Sequence, residues 1–141
     1  MADLLLGQVI RFDGDPFAQP DVAQVLTEGG VLVDQGRIAA VGQAADLRSR
    51  HPQAQVHDHG QKLISAGFID AHVHYPQTAI IASWGKRLID WLNAYTFPEE
   101  MRFADPAYAT EIAGRYLDLV LARGTTSVCS YATIHPASVD A

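Results

Sequence analysis

Apolar positions fall along the chain in two regimes. Up to Gly60 they come in short runs separated by turn-forming residues. Leu4 to Phe12 is apolar and β-branched enough for a strand, and Asp13-Gly14-Asp15-Pro16 supplies the turn that follows. Gly29-Gly30 reads as a second break. Val31 to Asp34 and Arg37 to Val41 then flank Gln35-Gly36, which predicts a β-hairpin stopped by Gly42. Ala44 to Ser49 has room for one or two helical turns, ended by Pro52. The run up to Gly60, with His51, His57 and His59, is polar and reads as a solvated connection.

From Lys62 the pattern changes. Leu63 to Asp70 is a continuous apolar run of the kind a buried parallel strand shows. Trp84, Leu88, Trp91, Leu92 and Tyr95 recur at near-helical spacing, which predicts a helix over 82–95 closed by Pro98. An aromatic stripe of this kind, Trp84, Tyr95 and Phe97 included, is more often core than ligand pocket. Asp105-Pro106 is a helix start, with Asp as N-cap and Pro at the first helical position. Tyr108, Ile112, Tyr116, Leu119 and Val120 then share one helical face, and Gly124 caps the C-terminus. Thr125 to Tyr131 is a second β-rich run, in which Cys129 is expected to pack as a small apolar residue. Strand, long connection, helix, strand is a βα unit leading into a parallel strand.

Composition narrows the class. The chain has 141 residues, 48% hydrophobic and 18% charged, enough apolar content for a packed core. A complete (β/α)8 barrel of roughly 250 residues does not fit this length. Ten basic against sixteen acidic residues, a formal charge of −6, argues against nucleic acid or an anionic membrane as partner. One cysteine cannot form an internal disulfide, which fits a reducing, cytoplasmic setting. The opening MADLLLGQVIRFDGD has no basic n-region, so no signal peptide is expected, and no apolar run approaches the ~20 residues that cross a membrane.

The candidate chemistry sits in Gly67-Phe68-Ile69-Asp70-Ala71-His72-Val73-His74. Alternate residues of a strand face the same way, so His72 and His74 project together from its C-terminal end, with Asp70 one layer deeper. Two imidazoles on one face suit zinc or a similar divalent ion. The same spacing also occurs as two half-buried histidines with satisfied hydrogen bonds. Gln77 follows within reach, and a carboxamide offers both a donor and an acceptor to a ligand edge. His135, after the second predicted strand, either lines the mouth of the site or lies on a surface loop.

Two motifs carry a resemblance: VDQGRIAAVG, Val33 to Gly42, and SAGFIDAHVH, Ser65 to His74. In this order and spacing they resemble the amidohydrolase superfamily of metal-dependent hydrolases. HVHYPQT, LIDWLNAYTFPEEMRF and ARGTTSVCSYATIHP further resemble its guanine-deaminase branch, with Trp91 to Glu100 the most specific piece. The resemblance implies an α/β fold with a β-rich N-terminal segment. Residues 1–64 would be part of a small β-sandwich domain, and residues 65–141 the first β/α units of a TIM-like barrel. It implies zinc, with iron as an alternative, held in part by His72 and His74. Gln77, with His74, would bind the purine, and Trp91 and His135 would line the pocket. Zinc-bound hydroxide would attack C2 of guanine, releasing ammonia and leaving xanthine. A cytoplasmic homodimer is the implied assembly.

The family places further metal ligands, two histidines and an aspartate, on later barrel strands, and its proton-shuttling glutamate in a later HxxE-like motif. After His74 this chain has only His135 and no such glutamate, so no catalytic acid or base is assigned. The chain is therefore expected to be the N-terminal part of such an enzyme and inactive alone. Other deaminases or chlorohydrolases acting on purines, pterins or triazines share the HxH strand. A non-catalytic β-rich binding module with an accidental HxH is the remaining alternative. The other zinc-deaminase fold needs PCxxC, which is missing.

Overall fold

The computed structural model describes residues 2–141. The chain divides into two compact units, one ending at Ala66 and the other spanning Gly67–Ala141. No described helix is long and apolar enough to cross a membrane.

The first unit is a four-stranded sheet in the order β3-β2-β1-β4, built from β1 (Asp3–Phe12), β2 (Ala23–Asp34), β3 (Arg37–Gln43) and β4 (Gln55–Ile64). β1 and β2 are antiparallel, as are β2 and β3, while β4 lies parallel to β1. Helix α1 (Ala44–Arg50) contributes Leu47 to a core with Leu4, Leu6 and Leu32. Each of these leucines contributes roughly 2 kcal/mol by leaving water. The β2–β3 hairpin turns at Gln35 (φ 50°) and Gly36 (φ 73°), the two positive angles a tight hairpin turn needs.

Three expectations fail here. Gly29-Gly30 does not break the chain, because β2 runs straight through it. These glycines allow close packing instead: a Cβ on Gly29 would lie 2.6 Å from Val9 Cγ2, and one on Gly30 would lie 3.1 Å from Leu47 Cδ1. Gly42 likewise stays within β3. The polar stretch before Gly60 is a strand rather than a solvated connection. It is polar because it is an edge strand with mostly exposed side chains. His57 is held there, its Nε2 2.7 Å from Asp3 Oδ1.

The second unit is built on two parallel strands, β5 (Phe68–His74) and β6 (Thr125–Tyr131). Between them run a 3-10 turn (Tyr75–Ile80), α2 (Leu88–Trp91), a π-helical turn (Leu92–Thr96), α3 (Phe97–Met101), a second 3-10 turn (Arg102–Ala104) and α4 (Pro106–Leu121). A short α5 (Ala137–Asp140) follows β6. The core gathers Tyr75, Phe103, Ala109, Ile112, Ala113 and Tyr116 against the strands. Asp105 caps α4, its Oδ1 accepting the Ala107 N–H at 2.9 Å, and Gly124 ends the following turn at φ 83°.

The apolar run from Leu63 is two strands, not one. Its dividing point is Gly67, where a Cβ would lie 2.0 Å from Thr126 Oγ1. Among the described residues β5 pairs only with β6, and Phe68 and Ile69 are exposed rather than buried. The helix expected over 82–95 begins only at Leu88, and Pro98 does not close it. Proline supplies no N–H, and the wider π turn just before it, bonded from the Phe97 N–H to the Leu92 carbonyl, lets the helical path continue. Trp84, Tyr95 and Phe97 are exposed rather than core, and so is Cys129. Trp84 lies before the helix begins, and the core is filled from α4 and Phe103 instead.

Candidate functional site

The two histidines sit on a distorted strand end. Asp70 pairs with Val128 and Val73 with Ser130, so β5 advances three residues while β6 advances two. The resulting bulge lies at Ala71-His72. The His72 N–H is taken by Asp70 Oδ1 at 3.1 Å. Bulges re-aim side chains, and here the rings of His72 and His74 stand 5.4 Å apart with a 52° tilt. Tyr131, level with His74 on β6, stacks on that ring at 4.7 Å and 14° and lies 5.0 Å from His72.

Both histidines are exposed, and among the described residues neither ring is held by a hydrogen bond. Their donor chemistry suits zinc or ferrous iron. Among the described residues no group of three or more His, Cys, Asp or Glu is placed to hold a metal. The pair thus fits two positions of a coordination sphere, short of the three protein ligands of a catalytic zinc site.

An open cleft of about 520 Å3 adjoins the histidines, lined by Asp70, His72, His74, Gln77, Trp91 and Tyr116 among others. Gln77 reaches it from the 3-10 turn after β5. That turn is pinned at its start: the Tyr75 N–H donates to Ser130 Oγ at 3.2 Å, and the Tyr75 hydroxyl donates to the Ser138 carbonyl at 2.5 Å. Gln77 Nε2 donates to Glu100 Oε1 at 3.0 Å. Trp91 is fixed by its Nε1–H, which donates to the Ser83 carbonyl at 3.1 Å. The Tyr116 hydroxyl is buried without a partner among the described residues, and burial, with the nearby Asp70 charge, raises its pKa.

His135 lies outside the residues lining this cleft. Its N–H donates to Thr133 Oγ1 at 3.1 Å and its carbonyl accepts from Ser138 Oγ at 2.7 Å. Behind Glu100 is a charged cluster. Buried Glu99 accepts from Arg102 Nη1 at 3.0 Å and from the Tyr108 hydroxyl, while the Arg102 guanidinium lies 3.8 Å over the Tyr108 ring. Burial first, then the Glu99 hydrogen bond and charge, push the Tyr108 phenol up to about 12.

Sequence reasoning passed over Tyr131 and Glu100. Tyr131 ends the second β-rich run as His74 ends the first, and parallel pairing of the two runs would have placed them side by side. Glu100 closes the Trp91–Glu100 segment, and its charge near a polar glutamine was the available signal.

The chain is similar to known proteins along most of its length. The sequence pattern of the amidohydrolase family matches residues 63–141, and that of an imidazolonepropionase-like bacterial composite domain matches residues 29–54. Guanine deaminase of Escherichia coli is 35% identical over 134 residues, covering 94% of this chain and 30% of its own length. The crystal structure of guanine deaminase from Bradyrhizobium japonicum superposes with a TM-score of 0.92 at 30% identity, over 99% of this chain and 31% of that one. Guanine deaminase from C. acetobutylicum, solved with guanine in its active site, gives a TM-score of 0.83 at 27% identity, over 99% of this chain and 32% of that one. The chain therefore spans about a third of the length of these relatives. With more than half of its residues matched by the family pattern, on the segment that carries the histidine pair and the cleft, the chain belongs to the amidohydrolase family.

Proposed function

We propose that this chain is the opening portion of a guanine deaminase, which hydrolyses guanine to xanthine and ammonia. The observation that carries the reading is that His72, His74 and Gln77 line one cleft. Its similarity to guanine deaminases along nearly its whole length supports the substrate. In this reading β5 and β6 are the first two strands of a (β/α)8 barrel, and residues 1–64 are part of a small β-sandwich domain. A cytoplasmic homodimer belongs to the same proposal on family resemblance alone.

His72 and His74 would hold two sides of a zinc or iron ion. When bound, such an ion makes water a competent nucleophile near neutral pH. The chain's own residues prepare the substrate. Gln77 offers a carboxamide to the purine edge, and Trp91 gives the cleft an apolar wall. The Asp70 carboxylate keeps the bulged strand end in shape through the His72 N–H. No residue of this chain is assigned as general acid or base.

Ammonia release by the metal-loaded full-length enzyme, compared among guanine, adenine, a pterin and a triazine, tests the reading. Preference for guanine is expected. Preference for a pterin or triazine would move the chain to another branch of the family. Absence of metal in the protein, with no change on His72→Ala, would favour a binding module.

A further inference from the structure

Glu100 touches the cleft only through another side chain. It is not among the residues that line the cleft, yet its Oε1 lies 3.0 Å from Nε2 of Gln77, which is. Both side chains are partly buried, so the contact is shielded from competing water. The two residues come from separate segments, the 3-10 turn after β5 and helix α3.

The chemistry of this contact has one polarity. An ionised carboxylate has no proton to give, so the atom facing it must be the carboxamide nitrogen. A glutamine without such a neighbour can rotate its amide by half a turn and present either oxygen or nitrogen to a ligand. With Glu100 in place one orientation is selected. The Oε1 of Gln77 is then left as an acceptor that a ligand N–H satisfies, while Nε2 keeps its second N–H. Guanine carries ring N–H groups and an exocyclic amine. A purine with a bare ring nitrogen at that position would set acceptor against acceptor, an arrangement that polar sites reject strongly.

We propose that Glu100 is a positioning residue that fixes the amide orientation of Gln77 and thereby commits this site to a purine edge bearing an N–H donor. The proposal rests on the guanine-deaminase reading. Glu100 acts on binding and not on the bond-breaking step, so its effect falls on KM.

The experiment is a double-mutant cycle in the metal-loaded full-length enzyme, with guanine as substrate. Glu100→Ala is expected to raise KM about tenfold, the cost of one misdirected neutral hydrogen bond, with kcat held within about threefold. Gln77→Ala is expected to raise KM by at least as much. The double variant should be no worse than Gln77→Ala, since Glu100 has nothing left to orient. Glu100→Gln, which keeps the size and can still turn a carbonyl toward Gln77, should fall between wild type and Glu100→Ala; it also serves if the alanine variant folds poorly. Multiplying KM effects in the double variant, or a loss in kcat at unchanged KM, would overturn the positioning role while leaving guanine turnover intact. A wild-type enzyme that does not turn over guanine would instead remove the guanine-deaminase reading, and this inference with it.

Discussion

The Asp70 carboxylate closes a short ring with its own strand, accepting the backbone N–H of His72 at 3.1 Å where β5 bulges away from β6. His72 is exposed, and a side chain two residues upstream, rather than the neighbouring strand, takes its N–H. The rings of His72 and His74 stand 5.4 Å apart beside this bulge. Asp70 is thus bonded to the irregular part of the strand that carries the candidate ligands.

Asp70→Ala should remove this acceptor and let the bulge relax. The expected stability loss is about 1 kcal/mol, with metal affinity falling by about 10–100-fold, the range for outer partners of a metal site. Asp70→Asn retains an acceptor oxygen and should lose much less of both. Metal titration alongside urea denaturation of the three proteins checks this. Equal metal affinity in Asp70→Ala and wild type would show that the bulge holds without the carboxylate.

Removing either ring should be more severe. In the full-length enzyme of the proposal, His72→Ala and His74→Ala are each expected to lose most bound metal and to cut guanine turnover by more than about a hundredfold, beyond the loss from an outer partner. Tyr131→Phe leaves the ring stacked on His74 and should stay within a few-fold of wild type, whereas Tyr131→Ala frees the His74 ring. Metal content by elemental analysis and single-turnover ammonia release separate these outcomes. Full metal content in His74→Ala would exclude it as a ligand.

What could be seen in the sequence was what local chemistry decides. The Gln35-Gly36 hairpin turn and the Asp105-capped helix α4 depend on residues a few positions apart, and both stand as expected. That His72 and His74 lie near each other could be expected from their alternate spacing, although the bulge at Ala71-His72 could not. What escaped was set by distant partners. β4 is polar and becomes a strand because β1 lies beside it in parallel, and nothing within Gln55–Ile64 announces that neighbour. Gly29 and Gly30 look like punctuation, but their lack of a side chain serves Val9 and Leu47, remote in sequence. The bulge, the Tyr131 stack and the Glu100 contact all arise where two separate segments meet. Each needs the register of β5 against β6, or of the 3-10 turn against α3, before it can be seen.

Gly67 gives a direct test of one such remote contact. An added methyl at this position would collide with Thr126, with Oγ1 at 2.0 Å and Cβ at 2.7 Å. Gly67→Ala is expected to destabilise the chain by about 1–3 kcal/mol, the usual cost of overpacking. Thr126→Gly removes the obstructing atoms, so adding Gly67→Ala in that background should cost close to nothing beyond Thr126→Gly itself. Denaturant midpoints of the four proteins measure the coupling. Additive losses would mean that the strain at Gly67 comes from its backbone and not from Thr126.

The phenols of Tyr75, Tyr108 and Tyr116 are expected to make stability fall at alkaline pH. Burial and the neighbouring Glu99 push the Tyr108 phenol up to about 12 from an ordinary 10.0, and burial raises Tyr75 and, with the Asp70 charge, Tyr116. Below pH ~10 each phenol keeps its proton whether folded or unfolded, and the shift contributes no pH dependence. Between roughly 10 and 12 the unfolded chain has released the Tyr108 proton while the folded chain still holds it. Unfolding then releases a proton, so stability falls as pH rises through that window. Tyr108→Phe should lose about 1–3 kcal/mol at neutral pH by leaving buried Glu99 short of a donor, yet its stability should fall less steeply above pH ~10. Tyr75 and Tyr116 leave some slope in place. Urea unfolding from pH 8 to 11 compares the two curves, and a Tyr108→Phe curve that merely runs parallel to wild type would show that Tyr108 does not titrate with folding.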